Sequence, residues 1–158
     1  MMEDPETGGR PARARYDKAR HHLERRWRRR PERHCDRMMR AIVDELWAQF
    51  GADTYSWCGF YLLSPDGSRW AQGHCQPRPG PETLPLDGPR GRAAQGSVID
   101  AGEGGGSRIC VPVLDQRGEA WAMLAVESAR AGAFNEVDRR WLERMLKALA
   151  QLPRPSSP

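Results

Sequence analysis

The sequence contains no run of about 18 consecutive apolar residues, so none of it suits a bilayer-crossing helix. Met1 to Arg15 lacks the apolar stretch of a secretory signal, and cytoplasmic residence is the expectation. No Cys-x-x-Cys occurs. The four cysteines stand at 35, 58, 75 and 110, and a domain of this size can fold without disulfides, so reduced thiols are expected. Histidine is absent after His74, which removes a Ser/His/Asp arrangement from the second half of the chain. Lysine is scarce. Only Lys18 and Lys147 accompany the arginines among 25 basic residues.

What is present fits one ordinary core. The chain has 158 residues, 39% of them apolar with 16 glycines besides, which excludes a wholly disordered polymer and suits a single domain. Charge is uneven: residues 1–40 hold thirteen Lys/Arg against seven Asp/Glu, leaving twelve against fourteen in the remainder. Residues 1–12 mix Gly, Pro and charge with no apolar period and read as a loose tail. Tyr16, Ala19, Leu23 and Trp27 recur at helical spacing before Pro31. Residues 1–30 are thus expected to be a basic arm, partly disordered or helical. From Pro31 to Phe50 a stripe of Cys35, Met39, Ile42, Leu46 and Phe50 predicts a stronger helix, with Pro31 in its first turn and Gly51 at its end.

The period then changes. Thr54 to Leu63 is rich in aromatic and β-favouring residues, Ser64-Pro-Asp-Gly67 marks a turn, and Ser68 to Cys75 returns antiparallel. Five prolines between Gln76 and Pro89 predict a loop without regular pairing. Gly91 to Ala101 is read as a short helix, and Gly102 to Gly106 as a flexible connector. Ser107 to Leu114 and Glu119 to Ser128 around Asp115-Gln-Arg-Gly118 form a hairpin. Asn135 caps a last helix with Asp138 three positions on, and that helix carries a wide apolar face from Val137 to Leu149 before Pro153. The expected fold class is α+β: an antiparallel sheet with amino- and carboxy-terminal helices packed on one face, over residues 31–152, and a flexible tail at 153–158.

Ser107 with Val111-Pro112-Val113, then Met123-Leu-Ala-Val-Glu-Ser128, then Phe134-x-x-x-Asp138 at the last helix resemble the GAF-domain pattern. Trp57-Cys-Gly-Phe-Tyr-Leu62 resembles a strand of one GAF branch, the free methionine-(R)-sulfoxide reductases. The resemblance spans roughly residues 33–150. It implies a small-ligand pocket on one side of the sheet, and in the reductase branch a thiolate that attacks the sulfoxide, a carboxylic acid that protonates the leaving oxygen, and a second thiol reduced through thioredoxin. The branch's two pocket aromatics correspond to Trp57 and Tyr61. Its thiols do not carry over: Arg90 in Gly88-Pro-Arg-Gly91 stands at one such position, the short 102–106 connector replaces a cysteine-bearing loop, and nothing between Pro79 and Thr83 answers the third. The family's glutamate after Ser107 is Arg108, and its Asp-x-Asp pair is Ala125-Val-Glu127.

The expectation is therefore a small-molecule binding or sensing domain without sulfoxide reductase catalysis and without a catalytic residue to name. Its ligand-binding residues are Trp57, Tyr61, Arg108 and Glu127. Arg108 would clamp a carboxylate, Glu127 an ammonium or hydroxyl, and the rings an apolar part, which suits an amino-acid-like metabolite. The plainer reading makes Arg108 and Glu127 a cross-strand ion pair and the rings core filling. Two alternatives remain: a working reductase with relocated thiols, Cys110 beside Arg108 first among them, and a nucleic-acid-associated protein using the Arg25–Arg30 run, where Trp27 would stack on a base. A charge run is more often a solvated face, so nucleic acid is not the expected partner. No cofactor is expected, and no metal either, since His21, His22, His34 and Cys35 lack a second ligand pair at zinc-like spacing. A homodimer through exposed Trp47 or Trp141 is the expected assembly.

Overall fold

The computed structural model describes residues 5–86 and 96–153. Helix α1 (Pro5–Arg29) and helix α2 (Cys35–Phe50) precede strands β1 (Trp57–Leu63), β2 (Arg69–Gln76), β3 (Thr83–Pro85), β4 (Val98–Ala101), β5 (Ser107–Leu114) and β6 (Ala120–Ser128); helix α3 (Glu136–Leu146) and a 3-10 turn (Leu149–Gln151) follow. Among the described residues the strands form one sheet in the order β3-β2-β1-β6-β5-β4, every neighbouring pair antiparallel. The α+β architecture is as the sequence implies.

The apolar stripe of α2 explains its position. Cys35, Met39, Ile42, Leu46 and Phe50 are all buried, and they share one core with Cys58 and Phe60 of β1, Ile109, Val111 and Val113 of β5, and Leu124 and Val126 of β6. Alternation along each strand sends these residues to a single face. Leu142, Met145 and Leu146 of α3 close the same layer, so the helices cover one face and leave the other for different work.

Four expectations need correction. Helix α1 starts at Pro5, inside the stretch read as a loose tail, because Pro5 at the first helical position loses no hydrogen bond and the turns behind it are held by burial. Tyr16 and Ala19 are fully buried and Leu23 nearly so, in the core shared with α2 and α3. Helix α2 starts at Cys35 rather than Pro31: His34 is extended (φ −115°, ψ 125°), and the Glu32 carboxylate takes the N–H groups of Arg33 and His34. The proline-rich segment does pair, briefly, as edge strand β3, where Leu84 turns inward opposite Trp70 and Pro85 stands at the sheet margin.

The fourth is the short helix read from Gly91 to Ala101. Residues 91–95 lie outside the described residues, and Val98–Ala101 is strand β4. Gly102 to Gly106 makes a tight turn here, with Gly102 N–H donating to the Gly106 carbonyl at 3.0 Å and Gly104 and Gly105 at φ 68° and 83°, the left-handed region glycine favours. The turn returns β4 onto β5, and that non-local pairing overrides any local helical preference. Of the tail read at 153–158, only Pro153 is described.

Candidate functional site

The sheet face turned away from the helices is ordered in rows. In the first, Asp100 of β4 pairs with Arg108 of β5, Arg108 with Glu127 of β6, and Glu127 with Trp57 of β1. The next runs Cys110, Ala125, Gly59, Cys75 from β5 to β2, and a third runs Pro112, Met123, Tyr61, Gln72. The registers therefore bring Trp57, Glu127 and Arg108 into line and put Tyr61 two rows away. The apolar members Trp57, Tyr61, Trp70, Leu84, Cys110, Met123 and Ala125 form a second buried cluster, separate from the helical core.

Trp57 and Tyr61 do face each other, with ring centroids 6.0 Å apart at 32°. Their separation of four along an extended strand keeps both on one side, as expected. Gly59 between them is needed: a Cβ there would stand 2.5 Å from Cys75 Cβ and 2.7 Å from the Trp57 ring. The polar ends of both rings are engaged. Trp57 Nε1 donates to the Arg78 carbonyl and Tyr61 Oη to the Pro81 carbonyl, each at 2.9 Å. Gly80 N–H donates to Gln72 Oε1 between them. Segment 77–81 is thereby fastened to the polar ends of both rings, which are themselves buried, Tyr61 fully and Trp57 nearly so.

Arg108 is buried, its side chain 7% exposed, and its guanidinium forks onto Asp100: Nε to Oδ1 at 3.1 Å and one terminal nitrogen to Oδ2 at 3.3 Å. The same nitrogen reaches the Ala101 carbonyl at 3.4 Å. Arg108 stands opposite Glu127 in the register, and its guanidinium pairs with Asp100 on β4. Asp100 is not among the residues expected at this face, because Gly91 to Ala101 reads locally as helix. Its signal was the alternation Val98-Ile-Asp-Ala101 leading through a glycine run into Ser107, a hairpin pattern.

All four cysteines are free thiols. Cys58 lies in the helical core, where burial, then Asp44 and Cys75, push its thiol far up. Cys35 donates to the Pro153 carbonyl at 3.0 Å, and burial, then Asp36, push it up to about 11. Both therefore stay protonated at neutral pH and are poor nucleophiles. Cys75 and Cys110 belong to the second cluster, but β1 and β6 lie between their strands. Three strand spacings separate them by about 14 Å, twice the roughly 7 Å that a disulfide tolerates between Cα atoms.

The remaining residues singled out in the sequence are placed elsewhere. His22 on α1 pairs with Glu45 at 3.1 Å, His21 and His34 are exposed, and no group of three or more His, Cys, Asp or Glu among the described residues is arranged to hold a metal. Gly88 to Gly91, with Arg90, lie outside the described residues. Trp47 and Trp141 are half-buried against the core rather than exposed, and Trp141 is flanked by Arg20 and Arg144 with their guanidinium carbons 5.6 and 5.0 Å from its ring centroid.

The fold agrees with known proteins. A free methionine-(R)-sulfoxide reductase of Neisseria meningitidis, solved in complex with its substrate, superposes with a TM-score of 0.76 at 21% identity, covering 96% of this chain and 91% of that one. A GAF sensor protein described as putative from Burkholderia vietnamiensis gives 0.71 at 20% identity, covering 91% and 94%. The free methionine-(R)-sulfoxide reductase of Staphylococcus aureus with its substrate gives 0.69 at 22%, covering 86% and 94%. No curated protein matches the sequence. The GAF-domain family model matches residues 32–152, from the turn before α2 to the end of the last 3-10 turn. With most of its length accounted for in this way, the chain belongs to the GAF-domain family.

Proposed function

We propose that this GAF domain binds a small amino-acid-like metabolite on the face of Trp57 and Tyr61, and that it does not reduce sulfoxides. The observation that carries this reading is the single row in which Arg108, Glu127 and Trp57 lie side by side on the face that also holds Tyr61. In this reading the aromatic rings border the apolar part of the ligand, the Arg108 guanidinium, held in place by Asp100, donates N–H hydrogen bonds to a carboxylate, and Glu127 takes an ammonium or hydroxyl. The reductase named among the structural neighbours supports an amino acid of methionine-like size, because it was solved with its substrate on the same fold. Catalysis is set aside on the thiols. Two are buried among the helices, and the two on the ligand face are too far apart to close a disulfide during turnover.

Titration of Trp57 fluorescence with a panel of amino acids, free methionine sulfoxide and nucleotides tests the binding. Saturable quenching is expected with an amino acid, weakened about tenfold or more in Glu127→Gln, the loss of one charge-assisted hydrogen bond. Absence of any saturable change across the panel would sink the proposal. A thioredoxin-coupled assay with methionine sulfoxide is expected to stay at background, and turnover that disappears in Cys110→Ser would establish the relocated-thiol reductase instead. Native mass spectrometry of the purified protein reads copurified ligand and the proposed homodimer in one measurement.

A further inference from the structure

The excess positive charge of the chain gathers at one place. Arg25, Arg26, Arg28 and Arg29 end α1, Arg30 follows directly, and all five are exposed. Arg33 follows in the turn and Arg37 on the first turn of α2, also exposed, so the charge clusters where the two helices meet. Elsewhere some arginines are paired, Arg15 with Asp53, Arg20 with Asp17 and Glu24, Arg108 with Asp100, and Arg139 with Glu136 and Glu143, and exposed ones without an ion pair among the described residues, such as Arg69, Arg117 and Arg130, stand singly along the chain rather than in a run. No arginine from 25 to 30 makes an ion pair among the described residues. Seven like charges within thirteen residues repel one another, and they persist on a surface without partners of their own.

The geometry points to a second binding surface, at the α1–α2 corner, that takes the phosphate backbone of a nucleic acid without reading its bases. Arginine forks match phosphate oxygens two at a time. Arginines four apart on a helix, such as Arg25 with Arg29, rise about 6 Å along it, close to the distance between phosphates in one strand. Base stacking is not offered here. Trp27, the indole within the run, packs against the helical core with its N–H buried and lacking a hydrogen-bond partner. A membrane surface fits less well, since an interfacial helix needs an apolar face for the bilayer. Tyr16, Ala19 and Leu23 turn that face of α1 into the core, and the exposed large apolar residues among those described, Ile99 and Leu114, belong to β4 and β5.

Binding of the full chain to fluorescent 20-nucleotide single-stranded DNA, single-stranded RNA and duplex DNA, as a function of salt, tests this surface. A variant with the five residues Arg25, Arg26, Arg28, Arg29 and Arg30 changed to Gln is expected to bind at least about tenfold more weakly at low salt. Its slope of log affinity against log salt is expected to be shallower by at least about two, since each phosphate contact contributes roughly 0.7–0.9. Replacing the same five by Lys should preserve the slope. Changing five exposed cations elsewhere, Arg69, Arg117, Arg130, Arg140 and Lys147, to Gln should leave binding within about twofold. The RNA, DNA and duplex arms show which backbone is preferred. Absence of binding in all three, equal loss in the two Gln variants, or equally tight binding to phosphatidylserine vesicles or polyglutamate would each overturn the proposal. Deletion of residues 1–30 is unsuitable here, because it removes Tyr16 and Ala19 from the core.

Discussion

A buried guanidinium is tolerable only with a partner, and at Arg108 that partner is Asp100, itself one-quarter exposed. Asp100→Asn keeps a hydrogen-bond acceptor and removes the charge. It is expected to destabilise the fold by about 1–3 kcal/mol, with Arg108→Leu added to it costing less than the sum of the two single changes; urea unfolding of the three variants checks both statements. Gly80 is the other residue on which the Trp57–Tyr61 face turns. A Cβ there would lie 2.9 Å from the Trp57 ring and 3.1 Å from Tyr61 Oη, so Gly80→Ala must lift segment 77–81 or displace the rings. Either adjustment breaks at least one of the two 2.9 Å hydrogen bonds. The expected result is a loss of about 1–3 kcal/mol together with a red-shifted Trp57 emission, and an unchanged spectrum would show that the loop does not rest on the ring. Trp57 and Tyr61 were legible in the sequence because alternation is local. Asp100 and the two loop carbonyls were not, because each comes from a segment whose place is set by other strands.

At the scale of elements, α3 shows how far a local signal reaches. Asn135 accepts from Val137 N–H at 2.9 Å, while the Asp138 carboxylate takes the Asn135 N–H at 2.9 Å, the reciprocal arrangement that Asn-x-x-Asp suggests. Asn135→Ala is expected to lower stability by about 1 kcal/mol and Asn135→Ser to restore most of it, read as midpoint shifts in urea. The same carboxylate has a second duty that the spacing does not reveal. Its Oδ1 accepts at 2.6 Å from Tyr16 Oη, which also meets Tyr55 Oη at 2.8 Å. One buried node thus fastens α1, the entry to β1, and α3. Tyr16 and Asp138 are 122 residues apart, and no window along the chain joins them. The basic arm becomes a packed helix for that reason: its apolar residues find the core, and the node holds the end.

At the scale of the whole molecule, the carboxylates divide by sign. Burial raises Asp138 from its ordinary value despite the opposing hydrogen bonds from Tyr16 and the backbone. Asp44 is lowered: burial opposes the shift, and the hydrogen bonds from His74 and Gln76 outweigh it. The Ser68 and Ser64 hydroxyls hold Asp66 down at about 2. A raised folded pKa means that the native state takes up its proton before the unfolded chain does. The stability Asp138 contributes is therefore full at low pH and lost as pH rises through its folded value. The lowered groups act oppositely, contributing above about pH 4 and losing that contribution as pH falls further. Thermal melts from pH 7 to pH 4 should fall less steeply for the native sequence than for Asp138→Asn, and parallel profiles would refute the assignment. The helical stripe of α2, the β5–β6 hairpin, the cap of α3, the GAF pattern, and the common side of Trp57 and Tyr61 are legible in the chain because each is written in short local spacings. Long-range packing settled that β4 is a strand, that Arg108 leans on Asp100, that segment 77–81 holds the polar ends of Trp57 and Tyr61, and that the Arg25–Arg30 run makes no ion pair among the described residues. Those outcomes depend on which distant groups arrive beside one another, and burial together with strand register decides that arrival.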